Sequence, residues 1–309
     1  MRVAGPVPGH SPTPAPHDVR KTMARGLDHV VHAVRDLDAA AALYRRLGFT
    51  VGARNRHPWG THNHIVQFPG FFIELLTLAE PDKLGDDGFS ILFGAYNRDF
   101  LQIGDGLSLL ILESRDAEAD AAAFAKAGIA ASAAMRFERE GARPDGTPVK
   151  LGFSLAFADD KAAPWAHFAT CQQHYPENFW NPAFQKHTNG ALGIAGVVVV
   201  AEDPERHRTF FESFADAEGG TIAGGFTVVT PRGAIDVVTP AAFLARFGVA
   251  PPNVSEGARL AALRFAVADA SLLQALPELA GLAGLYAGGA AVIGGDDAMG
   301  AVLVFEPSR

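Results

Sequence analysis

The sequence predicts an α+β fold in which four tandem βαβββ modules pair into two cup-shaped domains. The first observation is that a strand, an aspartate, a helix and a glycine recur in the same order along the 309-residue chain. The second is that further strand-like runs follow each copy. The third is physical: one module cannot cover both faces of its own four-stranded sheet, so neighbouring modules are expected to pair.

The first module shows the pattern most clearly. The run 27–33 is apolar enough for a strand, and Asp36 stands where the N-cap of a following helix belongs. Apolar side chains then recur at helical spacing, and Gly48 follows them at the position that favours a left-handed residue. The apolar positions are Leu37, Ala40, Ala41, Tyr44 and Leu47. Three more strands are expected, over 49–54, 62–68 and 71–78.

The later modules repeat this spacing from new aspartates. Asp116, Asp203 and Asp269 take the place of the first N-cap, and in the second copy Gly128 again follows twelve residues later. The fourth copy departs furthest, because Pro277 replaces the aromatic residue of the helix. Four copies in order favour a repeated architecture over chance.

Pairing the modules predicts the domain organisation. Modules one and two form a domain over 25–173, and modules three and four form a second, degenerate one over 191–309. The segment 174–190 between them is too rich in aromatic residues for a free linker, and we expect it to pack over the first domain. Residues 1–24 are rich in Pro and Gly without periodicity, which predicts a disordered tail.

Composition narrows the classes of partner. The net charge of −8 and the lack of a basic run argue against nucleic acid and anionic membrane surfaces. The single cysteine, Cys171, excludes an intrachain disulfide and fits a reducing cytoplasmic location. Apolar runs are too short to span a bilayer, and neither a P-loop nor a serine nucleophile elbow is present. A small-molecule substrate is the expected partner, with a homodimer left open.

Several segments resemble a known superfamily. LDHVVHAVRDLDAAAALYRRLGF with FFIELLTL is similar to the vicinal oxygen chelate superfamily, which includes glyoxalase I, extradiol dioxygenases and antibiotic-resistance proteins. GTHNHIVQFPGFFIELL and HTNGALGIAGVVVVAEDP resemble its glyoxalase-like branch in particular. The resemblance implies that paired modules close a cup, and that the cup holds a divalent metal which chelates neighbouring substrate oxygens.

The resemblance also implies ligand positions on the first and fourth strands of each module. They fall on His29, Glu74 and His167 in the first domain, and His167 could instead be the general base. Imidazole and carboxylate ligands suit Zn, Fe, Mn, Ni or Co. One departure is that Leu109 occupies the first-strand position of the second module. A structural histidine, and a glutamate offset by an Arg or Lys partner, remain the alternatives for these positions.

The second domain offers almost no ligands at the corresponding positions, which are Gly196, Ala262, Asp236 and Leu303. We therefore expect it to serve in packing, dimer contacts or as a lid.

Substrate-binding residues are expected around the same cup. The resemblance suggests Thr61 and Asn63, which share one strand face. Strand alternation places Trp165 on the face of the fourth-strand histidine of module two. His187 and Asn189 match the family segment before the third module, where they either cover the cup or turn the chain.

Three functions follow from the resemblance. The first is a metal-dependent lyase or isomerase that moves a proton on a small vicinal-oxygen substrate. The second is an Fe(II) dioxygenase. The third is a metal-free protein that binds a small molecule or antibiotic in an empty cup.

Overall fold

The computed structural model describes residues 24–142, 146–269, 283–285 and 289–308. Its first eight strands are β1 (Leu27–Ala33), β2 (Asn55–Arg56), β3 (Thr61–Phe68), β4 (Phe71–Leu78), β5 (Gly106–Glu113), β6 (Met135–Ala142), β7 (Pro148–Ala158) and β8 (His167–Gln173). They form one sheet in the order β2-β3-β4-β1-β5-β8-β7-β6, which we name sheet 1. Each half of this order is one module, with the two first strands side by side at the centre.

The next eight strands repeat this topology. They are β9 (Ala191–Val200), β10 (Gly219–Ile222), β11 (Gly225–Val229), β12 (Ala234–Val238), β13 (Arg259–Val267), β14 (Ala283–Leu285), β15 (Ala291–Ile293) and β16 (Val302–Pro307). Sheet 2 has the order β10-β11-β12-β9-β13-β16-β15-β14. The predicted α+β fold of four modules paired into two sheets is therefore confirmed.

Helices connect the strands within and between modules. They are α1 (Leu37–Arg46), α2 (Tyr96–Ile103), α3 (Ala117–Ala127), α4 (Pro176–Phe179), α5 (Arg208–Ala215) and α6 (Pro240–Phe247). A π-helical turn, Ser90–Ala95, leads into α2, and short 3₁₀ turns lie at Pro81–Lys83 and Pro204–His207. The helix expected in the fourth module, and the tail expected over 1–24 except Ala24, fall outside the described residues.

The predicted helix caps are present in the first two modules. The Asp36 carboxylate accepts a hydrogen bond from the Ala39 amide at 2.9 Å, and Asp116 accepts one from the Ala119 amide at 3.1 Å. Gly128 ends the second helix at φ 73°, a conformation that glycine adopts without strain. The helix caps could be predicted from the sequence because capping depends on atoms only three residues apart.

The strand expected over 49–54 is wrong. The chain there is irregular, and only the two residues of β2 pair with β3. Phe49 is buried against Tyr44 of α1 at 5.4 Å and against Phe265 of sheet 2 at 5.3 Å between ring centroids. This packing holds the segment between the two sheets, so the chain can pair with β3 only after it leaves Phe49.

Alternation along the strands divides the apolar residues between two faces of each sheet. One face of each sheet contributes to a single shared core that also contains α1, α3 and α5, with rings such as Phe124 and Phe214 in tilted contact at 5.9 Å between centroids. The opposite face of sheet 1, which we call cup 1, and that of sheet 2, cup 2, each carry a separate apolar cluster.

A helical segment covers each cup. The π-helical turn before α2 places Phe89 and Phe93 in the apolar cluster of cup 1. In cup 2 the covering element is α6, whose Phe243 and Phe247 are buried in that cup's cluster. Within the described residues, no helix is long and apolar enough to cross a membrane.

Candidate functional site

Cup 1 contains a small internal cavity of about 60 Å³. Most of its wall is aromatic, and a few polar and charged side chains interrupt that wall. The lining residues are His29, His57, Trp59, Asn63, Ile65, Phe72, Glu74, Phe89, Phe93, Phe137, Arg139, Phe153, Leu155, Cys171 and Phe179. A water-poor cavity of this kind strengthens every electrostatic interaction inside it.

A β-bulge brings Asp28 and His29 together at the start of β1. Leu27 pairs with Leu112 of β5, but His29 pairs with the adjacent Ile111, so Asp28 is an extra residue in the ladder. The bulge breaks the alternation that would otherwise send neighbouring side chains to opposite faces. Both side chains are buried, and Asp28 contacts the cup 1 face rather than the shared core.

The buried Asp28 carboxylate fixes the His29 imidazole. Asp28 Oδ1 lies 2.5 Å from His29 Nδ1, and Gln173 Nε2 donates to Asp28 Oδ2 at 3.1 Å. Because a carboxylate accepts, His29 donates from Nδ1, which leaves Nε2 unprotonated when the ring is neutral. The imidazole also stacks on Phe72 with ring centroids 4.2 Å apart. Its ring is therefore held in one orientation beside the cavity.

Glu74 of β4 lies in the same cavity with only neutral hydrogen-bond support. Asn63 Nδ2 donates to Glu74 Oε1 at 2.5 Å, and Asn55 donates to Asn63 Oδ1 at 3.0 Å, which orients the amide. Burial raises the pKa of the Glu74 carboxyl above its ordinary 4.5, and the nearby His29, the Asn63 hydrogen bond and Arg139 act in the opposite direction. Burial therefore favours the protonated, hydrogen-donating form of Glu74.

A tight turn before β3 supplies two more lining side chains. His57 Nδ1 lies 2.8 Å from Thr61 Oγ1, and its Nε2 lies 3.9 Å from Glu74 Oε1. Burial lowers the pKa of His57 to about 3, so this imidazole is neutral at working pH. Trp59 stacks on it at 4.7 Å. Gly60 sits at φ 88°, where any Cβ would overlap the Glu80 carbonyl group.

Arg139 brings a positive charge to the cavity from strand β6. Every second residue of this strand is exposed, and Arg139 is on the partly buried face with Phe137. Its Nε is buried and has no hydrogen-bond partner among the described residues. Burial lowers the pKa of Arg139, while the Glu74 charge acts to raise it.

The structure does not bring His167 to this site. Its Nδ1 lies 3.0 Å from the Leu92 carbonyl oxygen, and its ring stacks on Tyr96 of the covering helix at 4.0 Å. Burial lowers the pKa of His167. The side chain does not line the cavity, and its contacts here are packing contacts, so its roles as ligand and base stay predictions without support from this geometry.

Strand register explains why His167 lies away from Glu74. His29 pairs with Phe72 in module one, and Leu109 pairs with His167 in module two. Since His29 and Leu109 hold equivalent places in their modules, His167 is the counterpart of Phe72 and not of Glu74. The fourth-strand position was therefore assigned two residues too early in the second module.

The expected metal set is consequently not assembled. His29 and Glu74 lie in one cavity, but three strand spacings, on the order of 10–15 Å, separate Glu74 from His167 along their common row. In the parts of the chain that the structure describes, no group of three His, Cys, Asp or Glu side chains could hold a metal ion. These residues do not fit the three-ligand site that the resemblance implies.

Of the expected substrate-binding residues, only Asn63 lines the cavity. Thr61 does not line the cavity, and its Oγ1 lies within hydrogen-bond distance of His57 Nδ1. Trp165 precedes β8, so strand alternation does not apply to it, and its Nε1 donates to Glu256 at 2.8 Å outside the cup. Substrate contact by Trp165 therefore stays a prediction without support from this geometry.

His187 and Asn189 turn the chain between the two sheets. His187 Nε2 lies 2.9 Å from the Gln67 carbonyl oxygen, and burial lowers the pKa of His187 to about 4. Asn189 donates to the Leu47 carbonyl oxygen at 2.7 Å and accepts from the Ala191 amide at 3.0 Å. Neither lines the cavity, and their hydrogen bonds fit the turn that was the alternative; substrate contact by either residue stays a prediction.

Sequence reasoning missed most of the lining residues, four of which matter most here, and it also missed Asp28, which supports the cavity from behind His29. The four are His57, Trp59, Arg139 and Cys171. His57 and Trp59 gave a signal, because HPWG stands directly before the strand that carries Asn63. No sequence signal pointed to Arg139, because an arginine in an alternating polar strand is expected to be solvent-exposed.

Comparison with known proteins finds the same architecture in other chains. The sequence profile of the "Glyoxalase-like domain" family matches residues 27–214. A hypothetical protein from Staphylococcus aureus has a similar structure, with a TM-score of 0.62, 14% identity, and coverage of 92% of this chain and 100% of the other. A mutant of 4-hydroxymandelate synthase from Streptomyces coelicolor is also similar in structure. Its TM-score is 0.52 and its sequence identity 12%, and the match covers 93% of this chain and 92% of the other. No curated protein matches the sequence.

Proposed function

Because the chain belongs to the glyoxalase-like domain family of the vicinal oxygen chelate superfamily, we propose that it is an enzyme that moves a proton on a small oxygenated substrate. This is chemistry of the lyase or isomerase type. The observation that supports it is the pair formed by His29, oriented by Asp28, and Glu74, whose pKa is raised by burial, in one small cavity. Two titratable groups with separate environments fit separate acid and base roles.

His29 is the proposed base. Its Nδ1–H is engaged by Asp28, so Nε2 is free to take a proton from a substrate carbon next to an oxygen function. The C–H bond breaks, its electron pair moves into an enol or enolate, and the new Nε2–H leaves an imidazolium that the Asp28 carboxylate stabilises. The reverse transfer to a neighbouring atom completes an isomerisation.

Glu74 is the proposed acid. Its protonated carboxyl donates to the substrate oxygen on which negative charge develops, and Asn63 holds the carboxyl in place. The aromatic wall excludes water, which preserves both the neutral Glu74 and the reactive enolate. No step is assigned to a metal, because the donors in the cup do not form a metal-binding group.

A second candidate is a metal-free binding protein. It is favoured by the wall of the cavity, in which rings such as Trp59 and Phe89 stack at 5.1 Å and are well suited to hold an apolar ligand. The oxygenase alternative receives no such support: two histidines and a carboxylate, His29, His57 and Glu74, line the cavity, but among the described residues no group of three His, Cys, Asp or Glu side chains could hold a metal ion.

Hydrogen–deuterium exchange separates these candidates. 2,3-Butanedione has two neighbouring oxygens and enolisable methyl groups, and NMR in D₂O follows loss of its methyl signal. We expect the wild type to accelerate exchange, and His29→Gln to lower the enzymatic rate by about 10²–10⁴-fold. His64→Gln is the control, since His64 contacts the Gly52 carbonyl oxygen outside the cavity. Binding without acceleration would instead support the binding protein.

A further inference from the structure

Arg139 lies in the wall shared by two neighbouring spaces. It lines the inner cavity, and it also lines an outer cleft of about 370 Å³. Ile65 and Phe179 are the other residues common to both spaces, so these three side chains form the neck between them. The connecting segment supplies the far wall of the cleft through residues such as Trp180 and Phe184. A ligand that enters through this cleft passes the Arg139 guanidinium.

The guanidinium at this neck has no counterion in contact with it in the part of the chain that the structure describes. Among the described residues, no carboxylate oxygen lies within 4.0 Å of it, and its buried Nε has no acceptor. Arg136, three residues earlier on the solvent side of the same strand, is instead paired with Glu138 at 2.6 Å. Arginine keeps its charge under all ordinary conditions, so burial without a partner is costly. A ligand anion would remove that cost.

We propose that Arg139 binds a substrate carboxylate at this neck, so that the substrate is a small carboxylic acid with an enolisable carbon beside a second oxygen function. The planar guanidinium fork matches two carboxylate oxygens, and one cation matches their single charge. Among the described residues that line the cavity and the cleft, Arg139 is the one cation that a phosphate dianion would meet, with Glu138 and Glu140 on the outer face of the same strand. The reacting carbon would then enter the inner cavity towards His29 and Glu74.

The reaction named here rests on the proposed function, but the carboxylate site does not. Pyruvate and 2,3-butanedione test it as a matched pair, since they share the vicinal oxygens and methyl group and differ in the carboxylate. We expect pyruvate to bind the full-length protein more tightly than butanedione in isothermal titration calorimetry. Arg139→Gln should raise the pyruvate dissociation constant about ten- to hundredfold and leave butanedione within about twofold.

Arg136→Gln is the matched control, because it removes the same charge from the exposed face of the same strand. Its pyruvate dissociation constant should stay within about twofold of the wild-type value. Undetectable pyruvate binding, equal affinity for the two probes, or equal effects of the two arginine changes would overturn the carboxylate site. Pyruvate binding that depends on Arg139, without exchange that depends on His29, would keep this site and reject the proposed reaction.

Discussion

Cups 1 and 2 each carry a buried carboxylate at the same place in the fold, but the two carboxylates have different hydrogen-bond partners. Glu74 pairs with Val31 on the neighbouring first strand, and Asp236 pairs with Val198 in the same manner. Asp236 Oδ2 accepts hydrogen bonds from two arginine side chains, at 2.8 Å and 2.7 Å. Glu74 receives a hydrogen bond from one neutral amide.

The elements packed on each cup account for the difference. Helix α6 covers cup 2, fills it with Phe243 and Phe247, and carries Arg246 to Asp236. The covering segment of cup 1 contributes aromatic rings and leaves a cavity beside Glu74. An equivalent carboxylate is thus part of a structural ion pair in one cup and a buried group with a raised pKa in the other. Position in the fold alone does not make a site.

The largest expected effect is the loss of the ion pairs in cup 2. Asp236→Asn leaves two arginines without their shared partner and should lower the free energy of unfolding by about 2–3 kcal/mol. The loss is below that of a fully buried pair because Arg246 is 36% exposed. The midpoint of urea unfolding measures it, with Asp38→Asn, whose side chain is 82% exposed, as control. Equal effects in both variants would remove the contrast between the cups.

The next effect concerns the pH dependence of cup 1. The folded chain holds the Glu74 proton more tightly than the unfolded chain does, so between pH 4.5 and the raised pKa the folded state carries the extra proton. Wild-type stability should therefore fall as pH rises through this window, by up to about 1.4 kcal/mol per pH unit relative to Glu74→Gln. Urea unfolding at a series of pH values measures the difference. A constant difference would show that Glu74 is not neutralised by burial.

The smallest expected effect distinguishes two histidines of cup 1. His167→Gln should leave butanedione exchange within about twofold of wild type, because general-base catalysis requires hydrogen-bond reach and His167 does not line the cavity. The same NMR measurement on His29→Gln supplies the comparison. A loss in His167→Gln as large as that in His29→Gln, with unchanged thermal stability, would place His167 back in the reaction.

The sequence by itself determined the repeated module, the helix caps and the strand alternation, and it selected His29, Glu74 and Asn63 for one cavity. These features depend on residues close together in the chain or on a repeated pattern. Only the tertiary structure decided which side chains meet across strands. Strand register separated His167 from Glu74, and a single bulge turned Asp28 towards the cup.

The charged neighbours of the two carboxylates could not be predicted from the sequence either. Arg139 reaches the neighbourhood of Glu74 from a strand 65 positions later in the chain, and Arg264 reaches Asp236 from another module. Whether a buried carboxylate becomes an ion pair or a neutral acid depends on which cation packs within a few ångströms of it. Such contacts are fixed by how loops and covering helices pack, because short-range electrostatics depends on distance and burial rather than on order along the chain.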